Sequence, residues 1–380
     1  MSTVTTHPMH AMSIEPRLYL ALELGEAQWK LAFTTGLGQA PRVRPIKARD
    51  LEALRREIAR ALARFHLPVG TPVVSCYEAG RDGFWLHRAL LADGIANRVV
   101  DASSIEVNRR ARRAKTDRLD AEKLVLMLVR AVYGDRRTWH EVHVPAECDE
   151  DARHLDRELD GLIRARTAVL SRLNGLLATQ GLVLRMRGEV PAALAAARRW
   201  DGTPLPTQLR ARLERAWAEA EHLRARIDAL KAERHTTLRT GTTPAHAQMQ
   251  RLVALCGIGD TLSSGLVREA FGWRAFRNQR QVGGYAGLGG TPFQSGGVQR
   301  EQGMSRAGNR YVRYLAIELA WLWLRYQPGS ALSQWYHATF GGQGKIRQRI
   351  GIVALARKLL IALWRYLETG VLPEGAVTKA

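Results

Sequence analysis

Residues 17–24 read Arg-Leu-Tyr-Leu-Ala-Leu-Glu-Leu, an alternation that puts Leu18, Leu20, Leu22 and Leu24 on one face of an extended segment and Tyr19, Ala21 and Glu23 on the other. An ionised carboxylate on such a core strand is costly to bury alone, so Glu23 calls for a metal, an arginine or a raised pKa. A turn at Gly25–Gln28 leads to a second short strand near Lys30–Thr34, and Val43–Ile46 reads as a third. Asp50 can cap a helix to about Phe65, since Leu51, Leu54, Ile58 and Leu62 follow helical spacing; Pro68 and Gly70 end it. Val73–Tyr77 is a short β-rich run that closes on Glu78, Gly83–Leu91 reads as a helix and Asn97–Val100 as a strand. Thr116 is a good N-cap for a long helix to about Val132, with Asp117 and Asp120 in its first turn.

The resulting order, βββαβαβα, is that of the ribonuclease-H-like fold, in which acids meet beside the central strands. Singly, Asp117 or Asp120 would do no more than complement a helix dipole. Three residues apart, however, they share a helix face, and converging carboxylates repel unless a cation lies between them. Carboxylate oxygens are the hard ligands preferred by Mg²⁺ (or Mn²⁺), and two such ions can clamp the attacking and leaving oxygens of a phosphodiester. Glu23, Glu78, Asp117 and Asp120 are therefore the expected metal-binding, nuclease-type site. Just before the helix that carries Asp117 and Asp120, Arg109, Arg110, Arg112, Arg113 and Lys115 form a cationic run, which is either a solvated surface or, beside carboxylates meant to hold a phosphodiester, a set of phosphate contacts.

Charge points the same way. Lys and Arg number 57 against 36 Asp and Glu, giving +21, which implies a polyanionic partner, most commonly nucleic acid. The apolar stretches Leu124–Val129 and Leu319–Leu324 fall far short of a membrane span, and residues 1–16 lack the apolar core of a signal peptide. Cys76, Cys148 and Cys256 have no paired spacing, so neither a disulfide framework nor a zinc cluster is expected. A cytoplasmic protein acting on DNA or RNA, with no membrane partner, is the expectation.

From Asp149 the pattern changes to long helices. Leu155, Leu159, Leu162, Arg166, Val169, Leu173 and Leu176 form one heptad-like series, broken by Arg166; Leu209, Leu213, Ala216, Ala220, Leu223, Ile227 and Leu230 form another. The two suit an antiparallel coiled-coil hairpin, whose seam can close within the chain or mate with a second subunit. The expected division is a polar lead-in at 1–16, an α/β domain at 17–148, the helical hairpin at 149–234, a linker at 235–249 and a mostly helical C-terminal domain at 250–380. Within the last, Gly257-Ile258-Gly259 before a helix from Asp260 reads either as a phosphate-holding turn or as a tight turn between core helices. Trp321 and Trp323 lie on a core helix, Ala316–Tyr326, and Ile350–Leu367 makes another.

Three further stretches matter: Tyr285-Ala286-Gly287-Leu288, Thr291-Pro292-Phe293-Gln294-Ser295-Gly296-Gly297 and Gly303-Met304-Ser305-Arg306-Ala307-Gly308-Asn309-Arg310. Together with Glu78 and Lys115-Thr116-Asp117-Arg118-Leu119-Asp120-Ala121, they make the chain resemble the insertion-sequence 110 family of DEDD transposases, including its 1111 branch, from Arg17 to about Leu372. The resemblance implies a RuvC-like domain, a coiled coil and a C-terminal transposase domain. It also implies an element-encoded bridge RNA that specifies donor and target DNA, while the heptad helices suggest the oligomer, a homodimer assembling to a tetramer. Carried over, the family's acids fall on Glu23, Glu78, Asp117 and Asp120, and its catalytic serine on Ser295. Glu23 stands where the family pattern has Asp, extending the carboxylate by one methylene, and Gly289-Gly290 replaces a more rigid turn before the serine.

A serine hydroxyl needs its proton removed, or a cation to stabilise the developing charge. Arg300, Arg306, Arg310 and Arg313 are the candidates to face phosphorane oxygens, and Ser305 is the rival nucleophile. The expected activity is strand cleavage and exchange through a phosphoserine, the acids and Ser295 coming from one subunit or two. The alternatives are a metal-dependent junction nuclease that uses water, and a catalytically inactive relative that binds RNA or DNA.

Overall fold

The computed structural model describes residues 15–105, 117–135, 137–295 and 298–379, with the backbone alone for the strand residues from 291 to 302. The chain divides into two compact units, residues 1–144 and 145–380.

The first unit is built on a five-stranded sheet. Strands β1 (Leu18–Leu24), β2 (Gln28–Thr34) and β3 (Arg42–Lys47) form an antiparallel meander. After helix α1 (Leu51–Arg64), β4 (Val73–Glu78) pairs parallel with β1; after α2 (Trp85–Ala92), β5 (Ala96–Val100) pairs parallel with β4. The strand order is β3-β2-β1-β4-β5, and helix α3 (Asp117–Val132) follows. The order read from the residue pattern is the order found, to within two residues at most ends. Asp50 caps α1 as its position suggests, its carboxylate accepting from the Ala53 N–H at 2.8 Å, an interaction worth about 1 kcal/mol.

Alternation in β1 splits the sheet's two faces. Leu18, Leu20 and Leu22 pack with Tyr77 against Leu54 and Ile58 of α1 and Leu86 and Leu90 of α2. Tyr19 and Ala21 pack with Val74 and Cys76 of β4 against Ala121, Leu124, Val125 and Leu128 of α3. Both faces being covered, β1 is buried from Leu18 to Leu22.

The second unit is helical. After α4 (Glu147–Asp151), α5 (His154–Ala178) runs out to a loop region holding α6 (Val190–Ala196), and α7 (Thr207–Thr240) runs back. Leu159 and Leu162 meet Ile227, while Val169, Leu173 and Leu177 meet Leu213, Trp217 and Ala220, so the pair is antiparallel. The heptad seam is thus filled within the chain. Most of the segment expected as a linker, 235–249, is helix. Helix α7 continues to Thr240 and α8 (Pro244–Val253) begins directly after, because Arg234 and Leu238 are buried and Thr243 with Pro244 opens the next helix.

Beyond α8, α9 (Asp260–Leu266) passes into a π-turn at Val267–Phe271, then α10 (Gln279–Tyr285) leads to a two-stranded antiparallel hairpin, β6 (Gly290–Ser295) and β7 (Val298–Met304). Helices α11 (Arg310–Tyr326), α12 (Ala331–Phe340) and α13 (Lys345–Thr369) complete the chain around a core of Leu315, Leu319, Trp323, Leu355, Leu359 and Leu363. Trp323 is buried while Trp321 is half exposed, so the Trp-rich helix is core on one side only. No helix among the described residues is long and apolar enough to cross a membrane.

Candidate active site

Glu23 and Glu78 are the last or nearly last residues of adjacent parallel strands. The register pairs Leu22 with Tyr77, so Glu23 and Glu78 stand at the next level of their strands. By alternation both belong to the face that carries Tyr19, Ala21, Val74 and Cys76, the face covered by α3. Across β2, Lys30 is the register partner of Glu23, with its ammonium on the Gln28 side-chain carbonyl at 2.6 Å.

Helix α3 runs antiparallel to these strands. Past its C-terminus, Tyr133 lies beside Tyr19 near the start of β1, and the Tyr19 pKa is raised by burial and then by this neighbour. Midway, Cys76 Sγ faces the Leu124 carbonyl at 3.9 Å. Four residues back along α3 is an advance of about 6 Å, and two residues forward along β1 or β4 is about 6.6 Å. Asp120 therefore comes level with Glu23 and Glu78, and Asp117 lies about one further turn out. Exposure agrees: Glu23 and Asp120 are partly buried, Glu78 and Asp117 exposed.

All four expected acids thus belong to one face of the sheet and to one end of it. They are not drawn into a tight nest: among the described residues no group of three His, Cys, Asp or Glu side chains is near enough together to hold a metal ion. The donor set is right for Mg²⁺ in its chemistry, being all carboxylate oxygen. Glu78 and Asp117, exposed at the rim, are the two with most rotamer freedom to adjust. The cationic run Arg109, Arg110, Arg112, Arg113 and Lys115, with Thr116, lies outside the described residues.

Ser295 ends β6, in register with Val298 of β7. What fixes this hairpin is its base. Ser305 donates its N–H to the Gly289 carbonyl at 2.8 Å and Arg306 its N–H to that of Gly287 at 3.2 Å. Arg313 reaches back from α11, its Nη1 donating to the carbonyls of Ala286 at 2.9 Å and Arg306 at 3.1 Å. Glycine is obligatory at Gly287, where φ is +65° and a Cβ would overlap the Ala307 carbonyl oxygen. Of the arginines expected to face phosphate, Arg313 thus commits one nitrogen to backbone carbonyls, while Arg306 and Arg310 are exposed. Arg300 belongs to β7 and Ser295 to β6.

The sequence pattern did not single out two buried acids, the first of which holds this base. Glu269, 1% exposed, accepts two hydrogen bonds from Arg157 of α5, at 2.8 and 3.1 Å, and a third from Asn309 Nδ2 at 3.1 Å. Asn309 is also the cap of α11, its Oδ1 accepting from the N–H groups of Tyr311 and Val312. Tyr285 donates its hydroxyl to the Glu269 carbonyl at 2.8 Å, and burial raises its pKa. Asp156, 2% exposed, accepts from Arg234 Nη1 at 3.3 Å and Ser264 Oγ at 2.6 Å. An acid on the apolar stripe of α5, three residues before Leu159, was the available signal.

The glycine turn has a structural explanation. Gly257 sits at φ +84°, and a Cβ there would come within 3.1 Å of Tyr326 Cβ and 3.3 Å of the Leu322 carbonyl oxygen. The turn is therefore shaped by close packing on α11, and next to Gly259 the start of α9 carries Asp260, paired with His235 at 2.7 Å.

Comparison with known proteins adds a class to this geometry. Residues 249–335, which span α8 to the first half of α12 and include the hairpin, match the family described as Transposase IS116/IS110/IS902. The chain is 39% identical over 379 residues to a putative transposase, y4rJ, of Sinorhizobium fredii, covering 95% of this chain and 94% of that one. It is 28% identical over 320 residues to a probable family 20 transposase of Pseudomonas aeruginosa, covering 82% of this chain and 89% of the relative. It is also 24% identical over 308 residues to the transposase for insertion sequence element IS1111A of Coxiella burnetii, covering 79% of this chain and 78% of the relative. These relatives are transposases. The chain belongs to the IS116/IS110/IS902 transposase family.

Proposed function

We propose that this protein is a DNA strand-transferring enzyme of ribonuclease-H-like, RuvC-like fold that cuts and rejoins phosphodiesters with Ser295 as nucleophile, aided by Glu23, Glu78, Asp117 and Asp120. The single observation that carries this reading is the arrangement of the acids. Four carboxylates from three separated elements belong to one face and one end of the sheet, where like charges repel one another unless a cation lies between them.

Those carboxylates would hold Mg²⁺ or Mn²⁺, which when bound supplies positive charge against the phosphate oxygens. Bond making falls to the serine. The Ser295 hydroxyl gives up its proton and its oxygen attacks phosphorus; the bond from phosphorus to one strand oxygen breaks, and that strand leaves as an alcohol on taking up a proton. A hydroxyl of the second strand then attacks the phosphoserine, which restores serine and joins the new strand. Arg306 and Arg310, both exposed beside the hairpin, are the cations available to the phosphate oxygens. Donor and target DNA are the proposed substrates, a bridge RNA the proposed guide, and a dimer or tetramer the proposed assembly.

The test is a denaturing gel of protein incubated with labelled DNA and Mg²⁺. The proposal expects a covalent protein–DNA adduct that disappears in Ser295→Ala and in Glu78→Gln. An equally abundant adduct in Ser295→Ala excludes this serine, and cleavage without any adduct marks a junction nuclease using water. Sequencing the RNA that copurifies tests the guide: a structured RNA of one defined sequence supports it, and bulk cellular RNA removes it.

A further inference from the structure

A groove of about 1030 Å³ opens beside the base of the Ser295 hairpin, lined by residues of α10, α12 and α13 and by Gly290, Gly303 and Met304 of the hairpin itself. Its chemistry is two-sided. Arg306, Arg349, Arg357, Lys358 and Arg365 line it, and among the described residues no carboxylate does. Among the described residues none of these five cations is in an ion pair. Arg365 donates only to the side-chain carbonyl of Gln279, at 3.2 Å, and the Arg357 guanidinium lies along Gly283, where a Cβ would come within 2.9 Å of its Nε. Between the cations the lining is apolar: Trp335, Ile346, Ile350, Val353 and Ile361. Ile346 and Ile350 are 78% and 56% exposed, and Lys358 Nζ stands 4.5 Å from the centroid of the Trp335 ring.

We propose that this groove holds an unpaired strand of the DNA substrate, its phosphates on the five cations and its bases against the apolar floor. Uncompensated like charges at one place call for a polyanion. Duplex DNA would satisfy the cations alone, since its base faces are stacked away, and would leave the exposed isoleucines in water. An unpaired strand presents phosphates and apolar base faces together, and its bases pack on aromatic and aliphatic surface with little regard to sequence. The volume exceeds what one nucleotide needs and sits at the upper end of ordinary ligand pockets, so a short stretch of strand fits better than a single base. The choice of DNA over RNA rests on the function proposed above, because hairpin residues form one wall; the cationic and apolar chemistry does not depend on it.

The test is equilibrium binding of full-length protein, in chelator and without divalent metal, to labelled oligonucleotides of about twelve residues: single-stranded DNA, the same DNA as a duplex, and RNA of the same sequence. Chelator keeps this readout separate from the adduct assay, so either can fail alone. Arg349→Gln combined with Lys358→Gln should weaken single-stranded DNA binding at least about tenfold and lower the salt slope by about 1.4, at roughly 0.7 for each phosphate no longer neutralised. Duplex binding should change by less than about threefold. Ile350→Asn, at an exposed position, should weaken the single strand several-fold with an unchanged salt slope and an unchanged melting temperature. Unaltered single-strand binding in both variants overturns the proposal. Equal losses on duplex and single strand make the groove a general phosphate surface, and tighter binding of RNA than DNA in wild type assigns it to RNA; either result also overturns it.

Discussion

The sheet unit and the helical unit treat acidic residues in opposite ways. At the end of the sheet, Glu78 and Asp117 are exposed and like charges share one face with Glu23 and Asp120. At the root of the helical hairpin, Asp156 and Glu269 are buried and each is surrounded by donors: Arg234 and Ser264 for the first, Arg157 and Asn309 for the second. A carboxylate whose desolvation is offset by arginine and hydroxyl donors contributes to the fold when intact and costs several kcal/mol when its partners are orphaned. A carboxylate gathered with others at a rim contributes little to stability and is available for chemistry. Position on an apolar element is common to both groups; only the neighbours distinguish them.

The comparison is open to attack by mutation. Its largest expected effect is on the sheet side: Asp120→Asn should lower DNA cleavage about a thousandfold or more while the melting temperature stays within about two degrees, since no buried donor loses a partner. Asp117→Asn, one turn further out, should cost clearly less; equal losses would show that the level of each acid along α3 does not matter. On the helical side the order of effects reverses. Asp156→Ala strands the buried Arg234 and should destabilise the second unit by about 3–5 kcal/mol, read from urea unfolding, with activity lost only as the protein unfolds.

Glu269→Gln is the sharper probe, since it keeps the shape and removes the charge facing Arg157, whose side chain is 55% exposed. About 1–3 kcal/mol is expected. Gly287→Ala places an ordinary residue at positive φ against the Ala307 carbonyl and should cost about 1–3 kcal/mol. Adduct formation at Ser295 should fall more steeply than stability, because the substitution acts at the anchored base of the hairpin. If stability falls and adduct yield does not, the base does not position the serine.

The smallest effect concerns pH. Burial holds the pKa of His87, whose Nδ1 meets Asn97 Nδ2 at 2.9 Å, below the ordinary histidine value. The unfolded chain then binds more protons than the folded one between the two pKa values, so stability rises with pH through that window and is lost as pH falls below about 6.5. The sheet unit should melt at lower temperature at pH 5.5 than at pH 7.5, and His87→Gln should flatten that dependence.

Much of this protein was legible in its residues. The two-residue period of Leu18, Leu20 and Leu22, the cap at Asp50 and the β-rich run ending at Glu78 fix their elements through local chemistry, and local chemistry is what a linear pattern encodes. The motifs around Asp117, Asp120 and Ser295 likewise pointed to a transposase family that the comparisons bear out. The heptads of α5 and α7 were readable as a pair, but not their partner: the choice between an internal seam and a seam between copies depends on how the intervening loop returns the chain, and the fold closes it internally.

What the tertiary structure alone decided is which distant residues share an environment. It brought Asp120 level with Glu23 and Glu78 by running α3 antiparallel to β1. It turned Asp156 and Glu269 into paired, buried charges, extended helix through most of the segment expected as a linker, and drew Arg306, Arg349 and Lys358 onto one apolar groove. None of these is a property of a single segment. Each depends on desolvation and Coulomb interactions among groups that are far apart in the chain, and those energies do not exist until the elements pack.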